Sequence, residues 1–420
     1  MRSTVTGTAP GTTRGRALGA LALLAATTLL AATTLLVGCS SAGTAGTEAD
    51  GAGGDGPVKV GLVYSRSGPL AAYGKQYEEG FKAGLAYATH GTNKAGGHRI
   101  EVTEQDDAGD PAKAVAAAKT LIGKGYKILA GTTDSGVALQ MAPLAAQNKV
   151  LYINGDAATD ALTGINDYTF RSGRQSYQDI LAVSAQLGDA KGKKVTVLAQ
   201  NSAFGQANVA AVKDVLGRKG ATVGSVLAPP SATDLTPFAR QVKAGEPDLV
   251  FVAWAGATAP ALWTALNQQG VLDAAKVVTG MAGTASYPVF GAGAAKVSFL
   301  AHYFPGAGGG NPVEKAMLDG ITESGGTPDL FSPDGFTAAQ MIVRAVESGS
   351  ATDTAAMVDA LEGWTFDGPK GRQQIRAEDH ALLQPMFTAR LKGSGADAEP
   401  ELIDTVPMAS VAPPVRKTAG

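Results

Sequence analysis

From Val58 to about residue 280 the chain alternates short apolar runs with longer amphipathic ones, and that alternation restricts the fold more than any other feature. "VKVGLVY" (58–64) reads as a buried strand and "KQYEEGFKAGLAYA" (75–88) as a helix with Tyr77, Phe81, Leu85 and Ala88 on one side. "RIEVTEQD" (99–106) alternates like a strand. Asp110-Pro111 then opens the helix "AKAVAAAKTLI", with the aspartate as cap and the proline at the first helical position. "KILA" (127–130), a helix after Ser135 and "VLYIN" (150–154) continue the pattern. A second series begins near Tyr177, with strands predicted at 193–200, 222–228, 247–256 and 276–280 and helices between them. Such alternation argues for a parallel sheet covered by helices on both faces. Two runs, each about the size of one domain, predict two α/β lobes. After Phe304 come helices near 312–324, 334–348 and 353–362, then a β-like tail containing "LLQPMFTARL".

The N-terminus speaks about compartment. Arg2, Arg14 and Arg16 precede "ALGALALLAATTLLAATTLLVGC", an apolar run behind positive charge that reads as a secretion signal. Its length also suits a plain membrane anchor. The only cysteine, Cys39, ends "LVGC", which resembles a bacterial lipobox and makes Cys39 the expected lipidation site. Loss of residues 1–38, which hold three arginines and no acid, takes the formal charge from −2 to −5. The following "SSAGTAGTEADGAGGDG" (40–56) offers nothing to a core and suits a flexible tether. Gly51, Gly53 and Gly56 satisfy GxGxxG, but neither a strand before nor a helix after supports a nucleotide site. The near-neutral charge excludes a nucleic-acid surface. The four histidines (90, 98, 302 and 380) are scattered, so neither a metal nor a cofactor is expected.

In open sheets of this kind ligands sit beyond the C-terminal strand ends, which makes the strand-to-helix turns the places to search. These are residues 64–75, 131–136, 154–163, 200–206, 253–259 and 280–287. "GTTDSG" (131–136) is the sharpest of them, because amide N–H groups at a helix start hold anions well. There Ser135 reads as a nucleophile, a binding group or a helix cap. As a nucleophile it lacks both a GxSxG elbow and a well-placed histidine, since a serine needs a base within hydrogen-bond reach.

Three segments together carry a family resemblance: "KVGLVYSRSGPLAAYGKQYEEGFKAGLAYA", "NKAGGHRIEVTEQDDAGDPAKAVAAAKTLI" and "GTTDSGVALQMAPLAAQNKVLYIN". They resemble the leucine-binding-protein family, the substrate-binding lipoproteins of branched-chain-amino-acid-type ABC transporters. The resemblance implies a type I periplasmic-binding fold: two doubly wound parallel-sheet lobes, three hinge crossings and a ligand closed between them. The crossings would lie near Arg171–Ser176, Ala301–Pro305 and Phe366–Gly368. Lobe one would then comprise 57–173 and 304–366, lobe two 174–303 and 367–407, and 408–420 a disordered tail. It further implies an extracytoplasmic protein anchored to the cell membrane, acting as a monomer and delivering a small molecule to an ABC permease.

The resemblance also nominates site residues. Tyr73 would line the first-lobe wall, and Ser135 would hold a ligand carboxylate with neighbouring N–H groups. In the "GDAATDALT" turn the family's threonine position falls on Ala158, with Thr159 one residue later, and either could touch ligand. Phe204, Trp254 and Ala257 would face the ligand from lobe two, with Tyr287 and Phe336 as further apolar candidates. Where leucine-binding members carry an acid for the ligand ammonium, this chain has Ala282. A buried ammonium without a carboxylate is costly. Either Asp134 or Asp156 supplies the counter-charge, or the ligand has no such ammonium. Candidate ligands are an amino acid, an amide or urea-like compound, or a small aromatic acid. The alternative function is a sensing module for a signalling partner, because fold does not fix function.

Overall fold

The computed structural model describes residues 56–186, 189–393 and 395–418. The expected signal peptide, Cys39 and most of the tether lie outside them. Among the described residues, no helix is long and apolar enough to cross a membrane.

The first lobe is built from β1 (Val58–Tyr64), α1 (Ala71–Ala88), β2 (Lys94–Ala95), β3 (His98–Asp106), α2 (Pro111–Gly123), β4 (Ile128–Gly131), α3 (Ser135–Asn148), β5 (Leu151–Asn154) and β6 (Thr169–Arg171). Its sheet runs β2-β3-β1-β4-β5-β6, all parallel except the short β2. Asp110 caps α2 as the sequence predicts, accepting from the amides of Ala112 (2.8 Å) and Lys113 (3.2 Å). Val60, Leu62, Ile128, Leu151 and Ile153 of the central strands are fully buried. Side chains of that size each contribute about 1.5–3 kcal/mol on burial.

The second lobe contains α4 (Ser176–Gln186), β7 (Lys194–Gln200), α5 (Ala203–Arg218), β8 (Thr222–Ala228), α6 (Thr236–Ala244), β9 (Leu249–Ala253), α7 (Ala259–Gln268), α8 (Val271–Ala274), β10 (Lys276–Gly280) and β11 (Val297–Ala301). The chain then returns to lobe one through α9 (Pro312–Glu323), α10 (Ser332–Ser348) and α11 (Thr354–Leu361). α1 and α10 pack with their backbones nearly touching: a Cβ on Gly84 would stand 2.5 Å from the Phe336 carbonyl oxygen.

β12 (Thr365–Gly368), β13 (Gly371–Ile375) and β14 (Leu382–Leu383) form a small antiparallel sheet. β15 (Met386–Lys392) and β16 (Glu399–Val406) then complete the lobe-two sheet, in the order β16-β15-β11-β10-β9-β7-β8.

Two expectations need correction here. Phe366, Ile375 and Leu382 belong to the lobe-one core, so the third passage lies at residues 384–385 rather than at Phe366–Gly368. The small sheet is too short to read as lobe one from its own sequence. The chain beyond residue 407 is also ordered through 418. Val411 is fully buried against Ala182, Met386 and Val406, and the Arg416 amide donates to Asp379 Oδ2 at 3.0 Å.

Candidate functional site

The C-terminal ends of both sheets face a cleft whose first chamber has a volume of about 630 Å³. It continues into a second chamber of about 360 Å³ that reaches towards β9 and β10. Tyr73, Arg174, Phe204, Ala257 and Phe331 line both. The lobes meet at the rim, where φ of +81° at Gly256 brings the lobe-two turn against lobe one; a Cβ there would lie 2.9 Å from the Pro69 carbonyl oxygen.

The lobe-one wall is polar, and its polar groups are largely engaged. β4 ends at Gly131, and α3 begins with Asp134 as N-cap, accepting from the amides of Gly136 (2.7 Å) and Val137 (3.0 Å). The turn therefore supplies its own anion to the helix start, and the Ser135 side chain lines the chamber beside it. Burial raises the Asp134 carboxyl, and the two cap amides oppose that rise.

Asp156 lines the same chamber, with Oδ2 accepting from the Thr133 hydroxyl at 3.3 Å and Oδ1 without a partner among the described residues. Burial, reinforced by the nearby Asp334 charge, pushes its carboxyl well above the ordinary range, while Arg174 and the Thr133 hydrogen bond oppose that rise. Ala158 lines the chamber and Thr159 does not. The Thr159 side chain caps a short 3₁₀ turn, and its carbonyl accepts from Arg171 Nη1 at 3.1 Å. Arg171, fully buried, also donates through Nη2 to the Ala157 (2.6 Å) and Arg174 (2.7 Å) carbonyls. One guanidinium thus ties the 155–160 turn to the first passage between the lobes.

The lobe-two turns present mainly apolar groups to the cleft, with Gln200 and Ser202 beside them. Phe204 enters at the start of α5, and Trp254 lies just past β9 with its indole N–H donating to Thr258 Oγ1 at 2.9 Å. Ala282 stands on this wall with Met281 and Phe290 nearby. Tyr287 and Phe336, read from the sequence as cleft aromatics, line neither chamber and lie in the core, because their helices turn those positions inward.

Residues 57–397 match the model of the periplasmic binding protein family. The chain belongs to that family. Leu/Ile/Val-binding protein BraC3 of Rhizobium johnstonii is 27% identical over 322 residues, covering 73% of this chain and 83% of the relative. Among solved structures, an ABC-type branched-chain amino acid transporter protein of Rhodopseudomonas palustris CGA009 is 32% identical with a TM-score of 0.70, covering 86% of this chain and 99% of that one. A solute binding protein of an ABC transporter from R. palustris HaA2, in complex with p-hydroxybenzoic acid, is 25% identical with a TM-score of 0.76, covering 84% and 97%.

Within this family fold, several cleft residues escape sequence reasoning. Phe331, between α9 and α10, is the hub of the cleft. Its ring lies 4.7 Å from that of Tyr73 and 4.8 Å from that of His302, and the Arg174 guanidinium sits 5.6 Å from its centre. Arg174 also donates through Nη1 to the Asp156 carbonyl at 3.1 Å, and Asp179 of α4 lies 3.5 Å from its Nε. Arg174 and Asp179 sit in a predicted passage and the helix after it. The i,i+5 spacing of an arginine and an acid there was the one available signal.

Proposed function

We propose that this protein is an extracytoplasmic solute-binding protein that closes on a small carboxylic acid with an apolar or aromatic body and passes it to an ABC permease. Lipidation of Cys39 tethers it to the membrane, and it works as a single copy. The observation that carries the ligand class is the state of the two cleft aspartates. Asp134 is engaged through Oδ1 by helix amides, burial disfavours the charged form of Asp156, and position 282 is alanine. From these three positions an α-ammonium would meet only the outer oxygen of the cap Asp134 and a carboxyl, Asp156, whose charged form burial disfavours, which makes a zwitterionic amino acid the poorer fit. A carboxylate suits the start of α3, where Ser135 faces the chamber, and a ring suits the space among Tyr73, Phe331 and Phe204.

The site is read as binding without turnover. Among the described residues no histidine lines the chamber that holds Ser135, and adjacent Asp134 is occupied as a cap. Differential scanning fluorimetry of the purified protein against leucine, urea, acetamide, benzoate and phenylacetate tests the reading, since a ligand bound only by the folded state raises Tm. Stabilisation by the aromatic acids and not by leucine is expected. Strong stabilisation by leucine alone would overturn the ligand class.

A further inference from the structure

The second chamber contains more than an apolar wall. His302, Arg174 and Asp179 all line it, and all are at least nine-tenths buried, with relative exposures of 4%, 8% and 3%. Each ends in an atom without a hydrogen-bond partner among the described residues: His302 Nε2, Arg174 Nε and Asp179 Oδ1. Unpartnered buried polar atoms are expensive, so a fold that gathers three of them around one chamber calls for an explanation. The three are neighbours. His302 and Arg174 contact the same Phe331 ring at 4.8 and 5.6 Å, and Asp179 lies 3.5 Å from Arg174 Nε.

The chemistry of the set is specific. Arg174 Nε can only donate, an ionised Asp179 can only accept, and a neutral imidazole does one or the other according to tautomer. A second carboxylate would be repelled by Asp179, and an ammonium by Arg174. A hydroxyl both donates and accepts without charge, and so satisfies the group as it stands. We propose that His302, Arg174 and Asp179 form a hydroxyl-recognition subsite in the second chamber, so that the ligand is a hydroxylated small acid whose carboxylate lies in the first chamber. The inference rests on the carboxylate reading of the first chamber.

The other groups facing this subsite are compatible with that assignment. The Thr279 hydroxyl is already given to the Val252 carbonyl at 3.0 Å, and Asn208 Nδ2 donates to Ser176 Oγ (3.2 Å) and the Phe204 carbonyl (2.9 Å). Neither competes for the ligand hydroxyl. Burial and the neighbouring cations Arg174 and Lys370 push the His302 imidazole well down, which keeps it neutral, and its hydrogen bond to the Leu330 backbone leaves Nε2 for the hydroxyl.

Isothermal titration of the full protein with matched pairs tests the subsite: benzoate against 3- and 4-hydroxybenzoate, and benzoate against terephthalate. The expected result is a Kd at least tenfold lower for one hydroxybenzoate than for benzoate, with terephthalate weaker than either. His302→Phe keeps a ring and removes Nε2, and Asp179→Asn keeps shape and removes charge. In each, the hydroxybenzoate-to-benzoate preference should fall towards one, with circular dichroism reporting whether the variant is folded. Equal affinity of benzoate and both hydroxybenzoates for the wild-type protein overturns the subsite and leaves carboxylate capture standing, as does a preference that survives both substitutions. Binding of none of these acids sinks the subsite and the carboxylate reading together.

Discussion

The two walls of the cleft are built from the same device, a β-strand ending in a turn that starts a helix, yet they do different work. On the lobe-one side the turns after β4 and β5 carry Thr133, Asp134, Ser135 and Asp156, and most of that polarity is consumed in holding the turns themselves. On the lobe-two side the corresponding turns present Phe204, Trp254, Ala257 and Ala282, whose contribution is shape and exclusion of water. The difference teaches that a polar turn is not by itself a polar site. Asp134 neutralises the helix start and leaves the buried Ser135 beside it in the chamber lining, whereas the lobe-two turns offer mainly apolar surface and the polar groups Asp179 and His302 lie deeper, in the second chamber.

The comparison breaks most visibly if the lobe-one turn loses its internal support. Arg171→Met removes a buried cation that holds three carbonyls, and charged hydrogen bonds contribute about 1.5–3 kcal/mol each. A loss of about 4 kcal/mol in urea unfolding is expected. A loss under about 1 kcal/mol would mean that the turn stands without its staple.

Asp179, between the two walls, gives the pH dependence. Burial raises its carboxyl to about 6 from an ordinary 3.8. A folded-state pKa above the unfolded one means that the folded protein binds the proton more tightly. Its stability contribution is therefore complete below about pH 4 and lost as pH rises through about 6. The move corresponds to roughly 3 kcal/mol. Asp179→Asn should gain Tm relative to the wild type between pH 4 and 7; parallel Tm–pH curves for the two proteins would refute this.

Ala282→Asp places an acid on the wall that lacks one. It should weaken benzoate at least tenfold, about 1.4 kcal/mol, and favour leucine, both measured by titration. An unchanged ratio would show that position 282 does not see the ligand.

The smallest effects separate cap from binding group within one turn. Asp134→Ala should cost about 1 kcal/mol of stability through the lost cap. Ser135→Ala should leave urea unfolding within about 0.5 kcal/mol and raise the Kd for carboxylates. The reverse assignment would exchange the roles given to the two residues.

How much of this was legible beforehand depends on the range of the interaction concerned. β1, β8 and β10 begin and end where the apolar runs do, and the Asp110-Pro111 start of α2 is a local cap that needs no partner from elsewhere. β9 was read too long, because Trp254 and Gly256 continue its apolar run although the chain there has turned into the cleft. Tyr73 and Ala158, nominated by the family resemblance, and Ser135, read from the turn after the 127–130 strand, all line the first chamber. Thr159 was not separable from its neighbour, since one residue decides which of two adjacent side chains faces the chamber. Phe331, His302 and Asp179 come from a loop, a strand end and a helix far apart in sequence, so nothing local could assemble them.

The sequence by itself therefore determined the α/β alternation, the two lobes and the turns that carry the cleft. These depend on periodicity, capping and position along the chain, which are local properties. Only the tertiary structure decided that Asp134 is a cap, that burial pushes the Asp156 carboxyl up and that the three-stranded sheet belongs to lobe one. It alone brought His302, Arg174 and Asp179 around one chamber. Each of those outcomes depends on burial and on partners distant in the chain, and neither exists until the lobes have folded and met.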